Sequence, residues 1–273
     1  MSQSDLTHLL AEAELDALAQ TLETAWTTGV PIEPLSESRK LTFEQSYDVQ
    51  RRWTRQRLAG GERVMGHKIG LTSEAIQTQL GVDQPDFGSL WASRYFPAAG
   101  GKAQAPAEIF LYPRIEAEIA FKLGSDLSAR NGEVRWRDVL AATEAVAPAL
   151  ELVDSRIKDW RIAIADTVAD NASYGGFTVG AWSPIAKHDD LSAIEMTLHH
   201  NGKVAAEGVG AAALGHPAKA VAWLATTLLA LGQPLKAGDI VLSGALSRAV
   251  DVTSGDEITA QFSELAAIHM SII

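Results

Sequence analysis

The stretch Tyr112-Pro-Arg-Ile-Glu-Ala-Glu-Ile-Ala-Phe121 alternates apolar and polar side chains, the period of a half-buried strand. Ile115, Ala117, Ile119 and Phe121 share one face of such a strand; Glu116 and Glu118 share the other. Two neighbouring carboxylates with no base between them repel unless a cation lies there. A second apolar run, Ala147 to Val153, carries a single acid, Glu151. Three carboxylates from two strands can hold one hard divalent cation and leave positions open for water and substrate. Pattern alone favours a plainer reading: a solvated strand face for Glu116 and Glu118, and an incidental Glu151. Lys68 poses the same choice. It stands mid-strand between Gly66 and Gly70, where a lysine usually snorkels to the surface, and spacing alone favours that. Held near a metal, or partly buried, its pKa would fall and it could shuttle protons near neutrality.

Other chemistries find no carrier. No Gly-x-Gly-x-x-Gly opens a helix after a strand, and there is no phosphate loop. Gly-x-Ser-x-Gly is absent. The seven histidines lack His-x-x-x-His spacing; His199 and His200 read as surface, and His216 as helix-entry structure. With no cysteine there is no disulfide, thiolate zinc site or cysteine nucleophile. Any metal is therefore oxygen-ligated, Mg²⁺ or Mn²⁺ before Zn²⁺.

The elements that must position these residues follow from period and punctuation. Residues 5–28 read as an amphipathic helix ended by Gly29 and Pro31, and Val30 to Lys40 as a loop. Thr42 caps a second helix through about Leu58, closed by Gly60-Gly61. Val64 to Gly70 reads as a strand. A short helix, Glu74 to Leu80, leads into the turn-rich loop Gly81-Val-Asp-Gln-Pro-Asp-Phe-Gly88. A helix from about Val134 to Val146 ends at Pro148, and the Glu151 strand follows. Met196–His200 and Lys203–Glu207 flank Asn201-Gly202, a two-residue hairpin turn. Pro217–Leu231 is a helix; Ile240–Ser243 and Ile258–Phe262 are strands. The expected class is α+β, with a helical lobe over residues 1–60 and a β-rich, mostly antiparallel sheet or roll over 61–273.

Composition sets the outer limits. The chain has 273 residues, 47% of them hydrophobic, enough for a substantial core. Lys and Arg number 23 against 34 Asp and Glu, so the formal charge of −11 argues against a nucleic-acid surface. An anionic substrate would need that field reversed locally by a metal or a few placed cations. The start lacks the basic and apolar regions of a signal peptide, and the most apolar window, Ala218 to Leu231, is too short and polar to span a bilayer. These features suit a cytoplasmic protein.

The motifs Gly66-His-Lys-Ile-Gly-Leu-Thr-Ser73, Gly81-Val-Asp-Gln-Pro-Asp-Phe-Gly88, Pro113-Arg-Ile-Glu-Ala-Glu-Ile-Ala-Phe121, Ala149-Leu-Glu-Leu-Val-Asp-Ser-Arg156, Val168-Ala-Asp-Asn-Ala-Ser173, Gly215-His-Pro217 and Leu242-Ser-Gly-Ala-Leu246 occur in that order. Together they resemble the 2-keto-4-pentenoate (2-hydroxypentadienoate) hydratases, in the hydratase/decarboxylase branch of the fumarylacetoacetate hydrolase superfamily, from about Leu41 to the C-terminus. The resemblance implies a β-roll catalytic domain and a Mg²⁺ or Mn²⁺ site of Glu116, Glu118 and Glu151. It makes Lys68 a proton-transfer residue beside the metal and puts Asp86 where hydratases carry a loop acid. Thr72, Ser73, Asn171 and Ser243 would line the substrate pocket. The implied substrate is a 2-hydroxy-2,4-dienoate of aromatic meta-cleavage catabolism. The implied assembly is a homo-oligomer, able to associate with other enzymes of that route. The resemblance overturns both plainer readings above.

Two alternatives stand beside it. A 2-oxo-3-hexenedioate (4-oxalocrotonate) decarboxylase shares the metal site, but tends to carry an apolar residue where Asp86 stands and Thr-Gly-Gly in place of Ser243-Gly-Ala245. A non-catalytic partner subunit would not need an intact carboxylate trio and Lys68. Arg94, Arg156 and Arg248 are the candidate cations for a second substrate carboxylate.

Overall fold

The computed structural model describes residues 11–73, 77, 82–129 and 132–273. The expected helix at Glu74 to Leu80 falls largely outside them. Helix α1 runs Glu12–Thr28 and stops at Gly29, whose φ of 67° is the left-handed cap that glycine takes readily. Within the expected loop, Leu35–Ser38 makes one helical turn, α2. Helix α3, Phe43–Ala59, starts where a capping box predicts: Thr42 accepts from the Gln45 N–H, and Gln45 reaches back to the Thr42 N–H.

Strands then dominate. They are β1 Val64–Gly70, β2 Asp86–Trp91, β3 Lys102–Ala105 and β4 Arg114–Leu123. Helix α4, Trp136–Ala142, leads directly into β5, Thr143–Val153. Helix α5, Ile164–Ala169, precedes β6 Tyr174–Val179 and β7 Ser183–Pro184. The hairpin β8 Glu195–His200 and β9 Lys203–Val209 turns at Asn201-Gly202, both at positive φ as its turn type requires. Helix α6, Pro217–Ala230, is entered as expected through His216, whose Nδ1 accepts the Ala218 N–H. The chain ends in β10 Ile240–Leu242, β11 Val250–Asp251, β12 Glu257–Phe262 and β13 Ile268–Ile272.

The expected helix through Val146 is a correction. It ends at Ala142, and Pro148 lies inside β5. Alanine-rich and apolar on both faces, Thr143–Val153 shows no period that separates helix from strand. Proline is tolerated there because β5 pairs with β6 through Ala149 and with β7 only at Ala145 and Val146, so Pro148 falls where the ladder is interrupted.

One sheet has the order β2-β1-β10-β4-β5-β6, with β11 against β4 and β7 against β5; the other runs β3-β13-β12-β8-β9. Pairing is antiparallel except for β1 with β10 and β3 with β13. The centre of the first sheet is covered on both faces. Ile115, Ala117, Ile119 and Phe121 of β4 join the larger core with α4 and α6. On the reverse face, Ala120 of β4 and Ala147 and Ala149 of β5 pack in a second core with Leu15 and Leu22 of α1 and Val49 and Trp53 of α3. Glu116, Glu118 and Glu151 belong to that reverse face by alternation. Two of these acids, Glu118 and Glu151, are fully buried rather than solvated.

Candidate active site

Register brings the carboxylates together. Glu116 of β4 is paired directly with Glu151 of β5, and Glu118 faces Ala149, whose small side chain leaves room beside it. The three acids each offer an oxygen, all within 4.8 Å of one another. Glu118 and Glu151 are fully buried, yet Glu118 Oε1 and Glu151 Oε2 lack a hydrogen-bond donor and Glu151 Oε1 has only the Lys68 ammonium beside it, 3.3 Å away. Burial raises the pKa of all three. At Glu116, pushed up to about 7, and at Glu118, well above the usual range, repulsion from Glu151 adds to it. At Glu151 burial outweighs the opposing Lys68. Orphaned acceptors on crowded, mutually repelling carboxylates suit a divalent cation, so the residues fit the group.

The surroundings hold this trio in place. Gly244, at φ 102°, donates its N–H to Glu118 Oε2 at 2.6 Å, and a Cβ there would lie 2.5 Å from the Thr72 side chain. The turn after β10 thus fixes one oxygen of Glu118 and leaves the other facing its neighbours. Lys68 reaches in from β1. It is 3% exposed, its Nζ is 3.3 Å from Glu151 Oε1, and it donates to the Ala172 carbonyl at 3.1 Å. That carbonyl belongs to three consecutive residues, Asn171, Ala172 and Ser173, at φ near 53°, a strained left-handed run. Asn171 clamps the run to β2, accepting from the Ser89 N–H at 2.7 Å and donating to the Ser89 carbonyl at 2.9 Å. The buried Arg156–Asp170 pair, 2.6 Å apart, braces it from behind, with Arg156 also donating to the Tyr174 carbonyl.

Lys68 departs from expectation in one respect. Burial by itself lowers its pKa, but Glu151, Asp86, Glu116 and Glu118 outweigh burial and hold it above its ordinary value. Without compensating positive charge on the acids, Lys68 keeps its proton.

Asp86 opens β2 opposite Gly70, and a Cβ on Gly70 would lie 2.2 Å from its Oδ1. It is 1% exposed, and Oδ1 has no hydrogen-bond partner. Burial raises its pKa against the pull of Lys68.

A cavity of ≈ 530 Å³ takes in Lys68, Asp86, Glu116, Thr72, Ser73 and Ser173. A larger hollow of ≈ 670 Å³ beside Arg57 and Glu62 contains none of the carboxylate trio, so chemistry is assigned to the smaller one. Of the expected pocket residues, Thr72 and Ser73 line the cavity. Asn171 and Ser243 stand behind it: the Asn171 amide is engaged with Ser89, and Ser243 Oγ is buried without a partner next to Gly244. Arg156 is engaged by Asp170, and Arg94 lies over the Trp26 ring, so neither faces the cavity; Arg248 does. Sequence reasoning missed Arg114, Trp160 and Ile162, which line its mouth. Arg114 carries a usable signal, because it shares the Glu116 face of the alternating strand; Trp160 is placed by a left-handed turn with no local signal.

Comparison with known proteins gives the same class. The fumarylacetoacetate (FAA) hydrolase C-terminal family matches residues 70–273, and the chain belongs to this family. Within it the chain is 45% identical over 243 residues to a 2-hydroxyhexa-2,4-dienoate hydratase of Comamonas testosteroni, covering 89% of this chain and 91% of that one. It is 45% identical over 240 residues to a 2-keto-4-pentenoate hydratase of Paraburkholderia xenovorans, covering 87% of each. Among solved structures, 4-oxalocrotonate decarboxylase from Pseudomonas putida G7, complexed with magnesium and adipate, superposes with a TM-score of 0.91 at 32% identity, over 97% of this chain and all of that one.

Proposed function

We propose that this chain is a divalent-metal-dependent hydratase that adds water to a 2-hydroxy-2,4-dienoate and releases a 4-hydroxy-2-oxo acid. The observation that carries the reading is the carboxylate trio, clustered within 4.8 Å and with unpartnered buried oxygens on Glu118 and Glu151, whose Glu116 lines one cavity with Lys68 and Asp86. The 45% identity to hydratases over most of the chain, against 32% to the decarboxylase, supports hydration over decarboxylation.

Glu116, Glu118 and Glu151 would hold Mg²⁺ or Mn²⁺. The bound ion supplies positive charge that stabilises charge developing on the substrate's 2-oxygen and offsets the field that holds the Lys68 proton. Lys68 takes the proton of the 2-hydroxyl and returns one to C5, giving the conjugated 2-oxo-3-enoate. Asp86, a buried carboxylate with an unpartnered oxygen, accepts a proton from the water that attacks C4. Protonation at C3 completes the addition. Thr72 and Ser73, which line the cavity, would contact substrate through their hydroxyls, while Asn171 and Ser243 would act from behind the wall.

Product analysis tests the assignment. The Mg²⁺-loaded protein is expected to convert 2-hydroxypenta-2,4-dienoate to 4-hydroxy-2-oxopentanoate and to release little CO₂ from 2-oxo-3-hexenedioate. The decarboxylase reading draws on the 0.91 TM-score; rapid CO₂ release without a hydrated product would establish it instead. Lys68→Met should retain metal affinity and slow kcat about a hundredfold or more, the usual scale for a lost general acid–base. Near-normal turnover would remove Lys68 from the chemistry.

The same reading makes the protein a cytoplasmic homo-oligomer of meta-cleavage catabolism, with the catalytic unit beginning near residue 61. Among the described residues no helix is long and apolar enough to cross a membrane.

A further inference from the structure

Between α5 and β6 the backbone turns left-handed at three residues in a row. Asn171, Ala172 and Ser173 have φ of 54°, 53° and 53°. Asparagine takes this conformation with some ease; alanine and serine rarely do. Such a run persists only where its surroundings hold it, and strain of this kind gathers at functional sites. Here the middle carbonyl, that of Ala172, accepts the Lys68 ammonium at 3.1 Å.

Two ties fix the run against β2. The Asn171 side chain accepts the Ser89 N–H at 2.7 Å and donates to the Ser89 carbonyl at 2.9 Å. Gln50 of α3 donates to the carbonyls of Phe87 on β2 and Val168 on α5. The run lies directly on the strand, for a Cβ on Gly88 would stand 2.3 Å from the Asn171 carbonyl oxygen. Gly88 is also the residue paired with Lys68 across β1 and β2. The same strand therefore sets both ends of the Lys68 hydrogen bond: the backbone that carries the lysine and the carbonyl that receives it.

A lysine at this place needs such a reference. Its four-carbon stem is flexible and its three donors rotate. Glu151 Oε1 lies 3.3 Å from Nζ, and Asp86, Glu116 and Glu118 also pull on it. Charge alone gives the ammonium no single direction; a fixed, uncharged carbonyl does.

Resting on the reading in which Lys68 moves protons, we propose that Asn171 is a positioning residue: its amide, clamped on Ser89, holds the left-handed run so that the Ala172 carbonyl sets where the Lys68 ammonium stands in the cavity. Asn171 itself does not touch substrate. Its amide oxygen and nitrogen are both engaged by Ser89, and it does not line the cavity.

Asn171→Gly tests this, because glycine takes φ near 54° without strain and the variant loses the clamp rather than the backbone conformation. In the Mg²⁺-loaded protein acting on 2-hydroxypenta-2,4-dienoate, kcat is expected to fall about 10–100-fold, the scale of a misplaced reacting group, while KM and calorimetric Mg²⁺ affinity stay within about threefold. In a Lys68→Met background the same substitution should lower the residual rate by less than about threefold, because its effect travels through the lysine. Should Asn171→Gly fail to fold, Ala172→Gly, which removes one methyl and slackens the same run, is read in the same cycle, with an expected loss of about three- to tenfold. A kcat within about twofold of wild type in the variant measured overturns the proposal. So does an equal loss with and without Lys68, which marks a general structural role, or a loss confined to KM, which makes Asn171 a substrate contact. If the wild type forms no hydrated product but releases CO₂ from 2-oxo-3-hexenedioate, the hydratase reading fails, and the same outcomes on that reaction decide Asn171. Near-normal turnover by Lys68→Met removes the positioning proposal alone, and turnover of neither acid by wild type removes both.

Discussion

Glu118→Gln folds, loses Mg²⁺-dependent stabilisation and retains less than about a thousandth of wild-type turnover. The structure motivates each part. Glutamine keeps the shape of the side chain and an oxygen for the Gly244 N–H, so the turn after β10 is preserved. It removes one of three crowded acids that burial and mutual repulsion hold above the usual carboxylate range, so the metal-free variant should be at least as stable as metal-free wild type. A site with two carboxylates left cannot hold Mg²⁺ firmly against water. A ligand that binds only the folded state stabilises it by about 2.7 kcal/mol at a hundred times its Kd. Wild type should therefore show a Tm that climbs with Mg²⁺ and falls back with chelator, and Glu118→Gln a Tm indifferent to both. Excess chelator should silence the wild type reversibly. Full wild-type turnover in excess chelator would remove the metal from the reaction, and an unchanged Mg²⁺ response in Glu118→Gln would move the site elsewhere.

Asp86→Asn should separate the two halves of the reaction. Asparagine has the shape of aspartate and fits as it does beside Gly70, where a Cβ on the glycine would lie 2.2 Å from the present Oδ1. Lys68 and the carboxylate trio remain, so proton transfer from the 2-hydroxyl to C5 should continue. What is lost is the only carboxylate besides Glu116 that lines the cavity among the described residues, and with it the acceptor for a water proton. Hydration is expected to slow by about 10²–10⁴, the range for a lost general base. The 2-oxo-3-enoate should accumulate, visible as a product spectrum distinct from that of the hydrated acid. Asp86→Ile should abolish hydration while leaving Mg²⁺ and 2-oxopentanoate affinity largely intact. If Asp86→Asn hydrates at the wild-type rate, the water is activated by another group and Lys68 becomes the candidate. Loss of both half-reactions would place Asp86 in the first.

Much of this site is legible in the amino-acid sequence alone. The alternation of Arg114–Leu123 puts Glu116 and Glu118 on one face, and the order of motifs supplies Lys68, Asp86 and Glu151 as their companions. The Thr42 cap and the Asn201-Gly202 turn fall where local rules place them, because capping and turn geometry depend on a few adjacent residues. Local rules fail over Thr143–Val153, where an unbroken apolar run reads equally as helix or strand until its neighbours on both sides are known. They also cannot say whether the polar face of β4 meets water. The strand and turn that bring Lys68 and Gly244 onto that face, and the pairing of Glu116 with Glu151, decide that, through contacts between segments far apart in the chain. The same holds for Arg156 and Arg114. The first is a candidate for the pocket by charge and is held by Asp170; the second is one arginine among many by type and lines the mouth. A side chain's type says which charge it can bring. Burial, register and partner decide where that charge acts, and these exist only once the strands are assembled.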